Sequence, residues 1–311
     1  MYDLVIVGGG PAGVAAGVYA ARKKMKTVIV TDSFGGQSIV SADIQNWIGE
    51  KSISGFDLAQ KMEAHLRSQE GIEIVDGDLV TEIKETEPFR FSVATKNGKK
   101  FETRAVLLVS GSRRKKLGVP GEKELEGKGV VYCSICDAPL FGGKDVAVVG
   151  GGNSGLEAVR DLLPYAKEIY LLHHRSELKG DKETQEKVLK SNVHVVLNAE
   201  TQSVDGNGKV EGLTYKDLQT GETKKLPVQG VFVEVGLLPN SEIVKGLVDL
   251  NQMGAVAINF QTQAASRPGI WAAGDVADSL YRQNNISMGD AVKATLNIYD
   301  TLHAKGLLSE N

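Results

Sequence analysis

Cysteine is scarce in this chain, with two in 311 residues, and so are proline, with eight, and aromatic residues, at 6%. Two cysteines do not make the disulfide framework of a small secreted scaffold, so a reducing cytoplasm is the expected setting. No apolar run is long enough to span a bilayer. The start does not read as a signal peptide, because no basic region precedes the first apolar run, Leu4-Val5-Ile6-Val7. Neither sign of charge dominates: 36 basic against 39 acidic residues leave a net charge of −3. That balance argues against a general binder of nucleic acid or membrane surfaces. There is no low-complexity tract and no linker rich in proline or serine. The length favours two domains, each able to bury its own core.

The two cysteines stand three residues apart, in Cys133-Ser134-Ile135-Cys136-Asp137. Thiols at that spacing can close a small disulfide with little backbone movement, and one of such a pair often has a lowered pKa. A pair of plain buried thiols is the bland alternative; the improbability of the only two cysteines falling at this spacing by chance speaks against it. Zinc would need two further ligands, and no second Cys or His pair stands at metal spacing, so no metal is expected. The reading is therefore a redox-active dithiol, with Asp137 beside it as a proton donor.

The rest of the chain supplies an electron source. Leu4-Val5-Ile6-Val7 ends in Gly8-Gly9-Gly10-Pro11-Ala12-Gly13, and a helical pattern follows over 14–23. In a strand, glycine turn and helix of this kind, Gly8 permits the turn and Gly10 lets backbone approach a pyrophosphate. Gly13 lets the helix pack closely on the strand, and the helix N-terminus offers free N–H groups to the phosphates. The next strand is expected over 27–31, followed by Asp32, suited to a ribose hydroxyl or, alternatively, a loop or cap residue. Leu58, Met62 and Leu66 mark the buried face of a helix over 57–69. Short β-rich runs follow over 72–75, 79–83, 89–94 and 105–109, with Asn97-Gly98 as a hairpin signal. Arg113-Arg114-Lys115-Lys116 reads as a solvated connector, with docking of an acidic partner as the minority alternative.

After the cysteines the first signature recurs. A strand over 146–149 enters Gly150-Gly151-Gly152-Asn153-Ser154-Gly155, then a helix over 156–163 and a strand over 169–172 lead to His173-His174-Arg175. Two such fingerprints, each in its own strand-turn-helix setting, are far more specific than one. Further on come a β-rich run over 230–235, the stretch Gly269-Ile270-Trp271-Ala272-Ala273-Gly274-Asp275-Val276, and a closing helix over 287–303. Asp275 taken alone would be a turn residue or helix cap.

With two nucleotide folds around a Cys-x-x-Cys, the chain resembles the low-molecular-weight thioredoxin reductases over essentially its whole length. The resemblance implies an α/β fold of two Rossmann-like dinucleotide-binding domains (three-layer ββα), the second inserted into the first. FAD would be bound by 1–115 and 246–311, and NAD(P)H by 116–245, which also carries the cysteines. Gly8, Gly10, Pro11, Ala12 and Gly13 match the family's FAD pyrophosphate loop. Gly35-Gly36-Gln37 and Asn46 match its second flavin segment. Asp275, after Gly274, matches the flavin-holding acid, and Arg282-Gln283 a dipeptide beside the isoalloxazine. Gly150, Gly152, Asn153, Ser154 and Gly155 would take the nicotinamide coenzyme, with His173, His174, Arg175 and Lys179 at its adenosine end. By resemblance Cys136 faces the flavin, Cys133 attacks a partner disulfide and Asp137 handles the proton. The inserted domain rotates between steps, with hinges expected at 116–118 and 243–246.

The flavoprotein subunit of alkyl hydroperoxide reductase is similar as well, in Gly236-Leu237-Leu238-Pro239-Asn240 and Met253-Gly254. Its N-terminal thioredoxin-like domains have no counterpart here, so the expected electron acceptor is a separate thioredoxin- or glutaredoxin-like protein. A homodimer is implied too. Departures are few: Ser110 replaces Thr, Ala138 replaces Gly, and His173-His174-Arg175 replaces His-Arg-Arg of NADPH-specific members. Lys179 replaces a further Arg, and His173 stands where the NADH-using relative has a ribose-binding Glu. The coenzyme site is thus built fully for neither coenzyme. Another donor such as ferredoxin, or a non-catalytic redox sensor, are the alternatives; the intact Gly150, Gly152 and Gly155 count against the first.

Overall fold

The computed structural model describes residues 1–41 and 43–309. It divides into two units: Met1–Ser41, Trp47–Arg113 and Leu238–Asn311 form one, and Arg114–Leu237 with Ala42–Asn46 the other.

In the first unit β1 (Tyr2–Gly9) enters α1 (Pro11–Arg22), followed by β2 (Thr27–Phe34), α2 (Gly55–Arg67) and β3 (Ile72–Asp76). Leu4, Val5 and Ile6 are fully buried, as befits a parallel strand covered on both faces. Pro11 opens α1, where its missing N–H costs nothing. Ser54 caps α2 by accepting from the Asp57 N–H at 3.0 Å, and Leu58, Met62 and Leu66 form its buried face as the pattern predicts. An antiparallel meander follows: β4 (Val80–Glu87), β5 (Arg90–Thr95) and β6 (Lys100–Leu108). Asn97-Gly98 lies at its second turn, with Gly98 at φ +82°. The chain leaves through β7 (Ser112–Arg114).

The second unit runs β8 (Val130–Val131), α3 (Ser134–Asp137), β9 (Asp145–Val149), α4 (Asn153–Leu162), β10 (Glu168–Leu172), α5 (Lys182–Leu189) and β11 (Val193–Val196). A second antiparallel meander comprises β12 (Ala199–Asp205), β13 (Gly212–Asp217) and β14 (Thr223–Leu226). β15 (Gly230–Val233) returns to the sheet, and the chain leaves through β16 (Leu237–Pro239), which pairs with β7. Back in the first unit, β17 (Ile270–Ala272) joins β6, and α6 (Asn284–Ala304) packs on α1.

The parallel order is β3-β2-β1-β6-β17 in one unit and β11-β10-β9-β15-β8 in the other. In each, the chain departs to both sides of a central strand, β1 or β9, and the glycine loop follows that strand. Open α/β sheets bind ligands at such switch points. The layers separate by residue parity. Val146, Val148, Leu171 and Phe232 pack with Leu156, Val159 and Leu162 of α4. Ala147, Val149, Leu172 and Val231 instead pack with Val204, Leu213 and Tyr215 of the meander. The first unit repeats this, with Val5, Val7, Val28 and Val30 packed against Phe91 and Val93. Each unit is therefore a Rossmann-like ββα stack.

The units divide between 113 and 114 and between 237 and 238, not at 115/116 and 245/246. The reason is packing: Ile243, Val244, Leu247 and Val248 belong to the first unit's core, so 243–246 is no connector. Residues 116–118 are likewise anchored. The Leu117 and Gly118 N–H groups donate to the buried Glu122 carboxylate at 2.9 and 2.8 Å, within the second unit.

Candidate active site

In the first unit, the loop after β1 gathers distant segments. The Gly35 N–H donates to the Gly9 carbonyl, and a Cβ on Gly36 would stand 3.3 Å from Gly10 Cα. A Cβ on Gly274 would lie 3.4 Å from that of Ala12 in the first turn of α1. Gln37 Nε2 donates to Asp275 Oδ2 at 3.2 Å and to Ser112 Oγ at 3.1 Å. Gly8, Gly10, Pro11, Ala12, Gly13, Gly36, Gln37, Gly274 and Asp275 thus converge. Arg282 is half-buried, and its Nε has no hydrogen-bond partner among the described residues. Gln283 precedes α6, Asp32 is exposed in β2, and Asn46 groups with the other unit.

The second unit repeats the loop geometry. A Cβ on Gly13 would fall 1.9 Å from the Gly8 carbonyl oxygen, and one on Gly155 1.7 Å from that of Gly150, so only glycine allows this approach of helix to strand. By contrast, a Cβ on Gly152 would meet nothing within 4 Å, and one on Gly10 only Gly36 Cα at 3.7 Å. Tight third glycines and open second ones fit a dinucleotide pyrophosphate in both loops. Over the second loop the Lys179 N–H donates to the Gly151 carbonyl at 2.7 Å, and Asn153 Oδ1 accepts from the Asp181 N–H at 2.7 Å. His174, Arg175 and Lys179 are exposed, and Arg175 Nε donates to His174 Nε2 at 3.2 Å. His173 differs from the expectation of a coenzyme-facing group: it is buried beneath Gly151, whose N–H donates to its Nδ1.

Cys133 and Cys136 are joined as a disulfide, with Cα atoms 5.3 Å apart. Cys133 precedes α3, and Ile135 between them is 57% exposed. The Ser134 hydroxyl donates to Asp161 Oδ2 of α4 at 2.8 Å, tying the dithiol turn to the helix behind the glycine loop. Asp137 is buried, and that burial pushes its pKa up to about 6 against the pull of Arg114. Such a carboxyl can hold a proton near neutrality.

Four participants escaped sequence reasoning. Burial pushes Glu234, just past β15, up to about 8 against Arg114, and the Asp161 and Glu157 charges add to the rise. Arg114 sat unnoticed in the cation run. Glu122 also accepts from the Tyr132 hydroxyl at 3.0 Å, next to Cys133. Ser112 joins Gln37 and Asp275. A lone charge or hydroxyl at a strand end or in a turn carries no local pattern, so no signal marked them. Ser110 keeps the role of a hydroxyl, donating to the Asn240 carbonyl at 2.7 Å. Among the described residues, no group of three or more His, Cys, Asp or Glu could hold a metal, and no helix is long and apolar enough to cross a membrane.

Twin dinucleotide loops with a disulfide on the second unit define a class, and the comparisons agree. Residues 2–294 match the family model for pyridine nucleotide-disulphide oxidoreductases, and the chain belongs to that family. It is 41% identical over 302 residues to an NADH dehydrogenase of Bacillus subtilis, covering 97% of this chain and 58% of that protein. It is 42% identical over 300 residues to an alkyl hydroperoxide reductase component of Staphylococcus aureus, covering 96% and 59%. The chain therefore spans less than two thirds of these curated relatives. The thioredoxin reductase structure from Streptococcus pyogenes matches with a TM-score of 0.91 at 32% identity, covering 98% of this chain and 99% of that one. Family and likenesses imply FAD and NAD(P)H as cofactors.

Proposed function

We propose that the chain is an FAD-dependent disulfide reductase. It passes electrons from NAD(P)H through Cys133–Cys136 to a thioredoxin- or glutaredoxin-like protein. The observation that carries this is the closed Cys133–Cys136 disulfide, on the unit that also holds the second dinucleotide loop. FAD is assigned to the first unit, through Gly8, Gly10, Pro11, Ala12, Gly13, Gly36, Gln37, Gly274 and Asp275, with Asp32, Arg282 and Gln283 in supporting contacts. NAD(P)H is assigned to the second, through Gly150, Gly152, Asn153, Ser154 and Gly155, with His174, Arg175 and Lys179 at the adenosine end.

Bound FAD would supply the step from hydride donor to electron pair. The chain's own residues do the rest. Once the disulfide is open, the Cys133 thiolate attacks the partner disulfide, forming a mixed disulfide and expelling one partner thiolate. Cys136 Sγ then attacks Cys133 Sγ, which closes Cys133–Cys136 and releases the second partner thiolate. Asp137 exchanges the proton of Cys136 Sγ, a role that its burial and raised pKa suit. Exposed Ile135 gives the partner an apolar contact beside the reacting sulfurs. A homodimer in a reducing cytoplasm belongs to the same proposal.

The test is oxidation of NADH and of NADPH by the flavin-loaded protein with a panel of small disulfide proteins. Sustained turnover with a thioredoxin- or glutaredoxin-like acceptor is expected. Coenzyme and flavin binding with no turnover of any member would leave a sensor, and turnover with reduced ferredoxin alone would replace the donor.

A further inference from the structure

His173 occupies the strand-end position from which a coenzyme contact is expected, yet the residue is only 6% exposed. The Gly151 N–H donates to its Nδ1 at 3.1 Å. Because that donor needs an acceptor, Nδ1 bears no proton and Nε2 carries it. The ring lies immediately behind the loop, since a Cβ on Gly151 would stand 2.5 Å from His173 Cγ. The residue is itself fixed: its N–H donates to the Val196 carbonyl, and its carbonyl accepts from the Ala199 N–H, both at 2.9 Å.

Buried Nε2 has no hydrogen bond of ordinary geometry among the described residues, and the Glu177 backbone favours the protonated ring. His173 lines a cavity of about 120 Å³, walled by Leu117, Val119 and Leu172 and bordered by Thr201 of β12. Thr201 Oγ1 is also buried without a partner among the described residues. The register of β12 shifts between Thr201 and Ser203, a bulge of the kind that re-aims a side chain.

We propose that His173 is a positioning residue for the coenzyme loop. As a neutral imidazole it props the Gly151 N–H from behind. This rests on reading the second glycine loop as the coenzyme site. Burial first, then His174, Arg175 and Lys179, hold the imidazole pKa down, which keeps the acceptor available. His173 therefore acts on the pyrophosphate loop common to both coenzymes, while His174, Arg175 and Lys179 act on the end that differs.

Two measurements on the flavin-loaded protein test this. Nitrogen-15 NMR of the coenzyme-free protein at pH 7 should show His173 neutral with the proton on Nε2; a proton on Nδ1 overturns the proposal. In calorimetric titrations, His173→Phe keeps a ring but loses the acceptor. It should weaken NADH and NADPH alike by about tenfold, with their ratio and the FAD content unchanged. His173→Asn, whose Oδ1 can stand in for Nδ1, should recover most of that affinity. Unchanged affinity in His173→Phe, or a loss confined to one coenzyme, overturns the proposal. Should the Phe variant not fold, the NMR tautomer and the Asn variant decide. Should the unmodified protein bind neither coenzyme, the coenzyme reading fails, while the tautomer still tests the hydrogen bond itself.

Discussion

Gln37 and Asp275 come from opposite ends of the chain and meet in the first unit, the amide Nε2 donating to Asp275 Oδ2 at 3.2 Å. The Ser112 hydroxyl joins them at 3.4 Å from the same carboxylate oxygen. In the proposed function this carboxylate would accept hydroxyls of bound FAD. Asp275→Ala should lower FAD content after purification and weaken FAD by roughly ten- to a hundredfold, as expected for losing a charge-assisted hydrogen bond. Full FAD occupancy in that variant would mean the acid serves only the local network.

Asp137 makes a stability prediction with a definite sign. Its pKa rises from the usual 3.8 to about 6 on folding, chiefly through burial. The folded chain thus binds the proton more tightly than the unfolded one, so this group's contribution is fully present below about pH 4. It is lost as pH rises through about 6. At about 1.4 kcal/mol per pH unit the loss is about 3 kcal/mol. Asp137→Asn should therefore be more stable than the parent at pH 8 by an amount of that order, the two converging near pH 4, while disulfide turnover falls. Parallel stability profiles for the two proteins would refute the buried-acid account.

Glu122 anchors the segment leading into the dithiol turn. Its buried carboxylate accepts from Leu117 N–H, Gly118 N–H and the Tyr132 hydroxyl. Glu122→Ala strands all three donors, at about 1–3 kcal/mol for each that stays buried. Tyr132→Phe removes only one partner. Urea unfolding should rank Glu122→Ala as the more damaging by about 2 kcal/mol or more; the reverse order would show that the Tyr132 hydroxyl holds the segment.

Both dinucleotide loops were legible in the sequence because glycine spacing encodes backbone constraints directly. Gly13 and Gly155 have no room for a Cβ, and Gly10 and Gly152 leave space for a ligand. Of the parallel strands, β1, β2, β9, β10 and β15 were legible from their apolar runs, whereas β8 and β11 are short and were not. What the sequence did not reveal depends on burial and on contacts across long separations. Arg114 looked like one more solvated cation, yet it acts on the buried Asp137 and on Glu234. Ile243 to Gly246 looked like a connector until Val244 proved to be core. His173 read as a coenzyme contact, because no local pattern distinguishes a ring facing a ligand from one under a glycine loop.

Coenzyme choice rests on few cations. Arg175 and Lys179 are exposed over the second loop, while His174 is the hydrogen-bond acceptor of Arg175 Nε. An arginine at 174 would add a planar fork for a 2′-phosphate. NADH should be used by the unmodified protein, and His174→Arg should shift kcat/KM toward NADPH by about tenfold or more. An NADPH preference on the order of a thousandfold in the unmodified protein would contradict this reading.

The most direct test of the electron path is NAD(P)H oxidation with a thioredoxin-like disulfide protein as acceptor, in the parent, Cys133→Ser and Cys136→Ser. A small dye that takes electrons without the dithiol serves as the control. Both variants should lose disulfide turnover by at least about a thousandfold while keeping dye reduction. Cys136→Ser should also trap the partner as a mixed disulfide on Cys133. Disulfide turnover surviving in either variant would contradict a path through Cys133–Cys136.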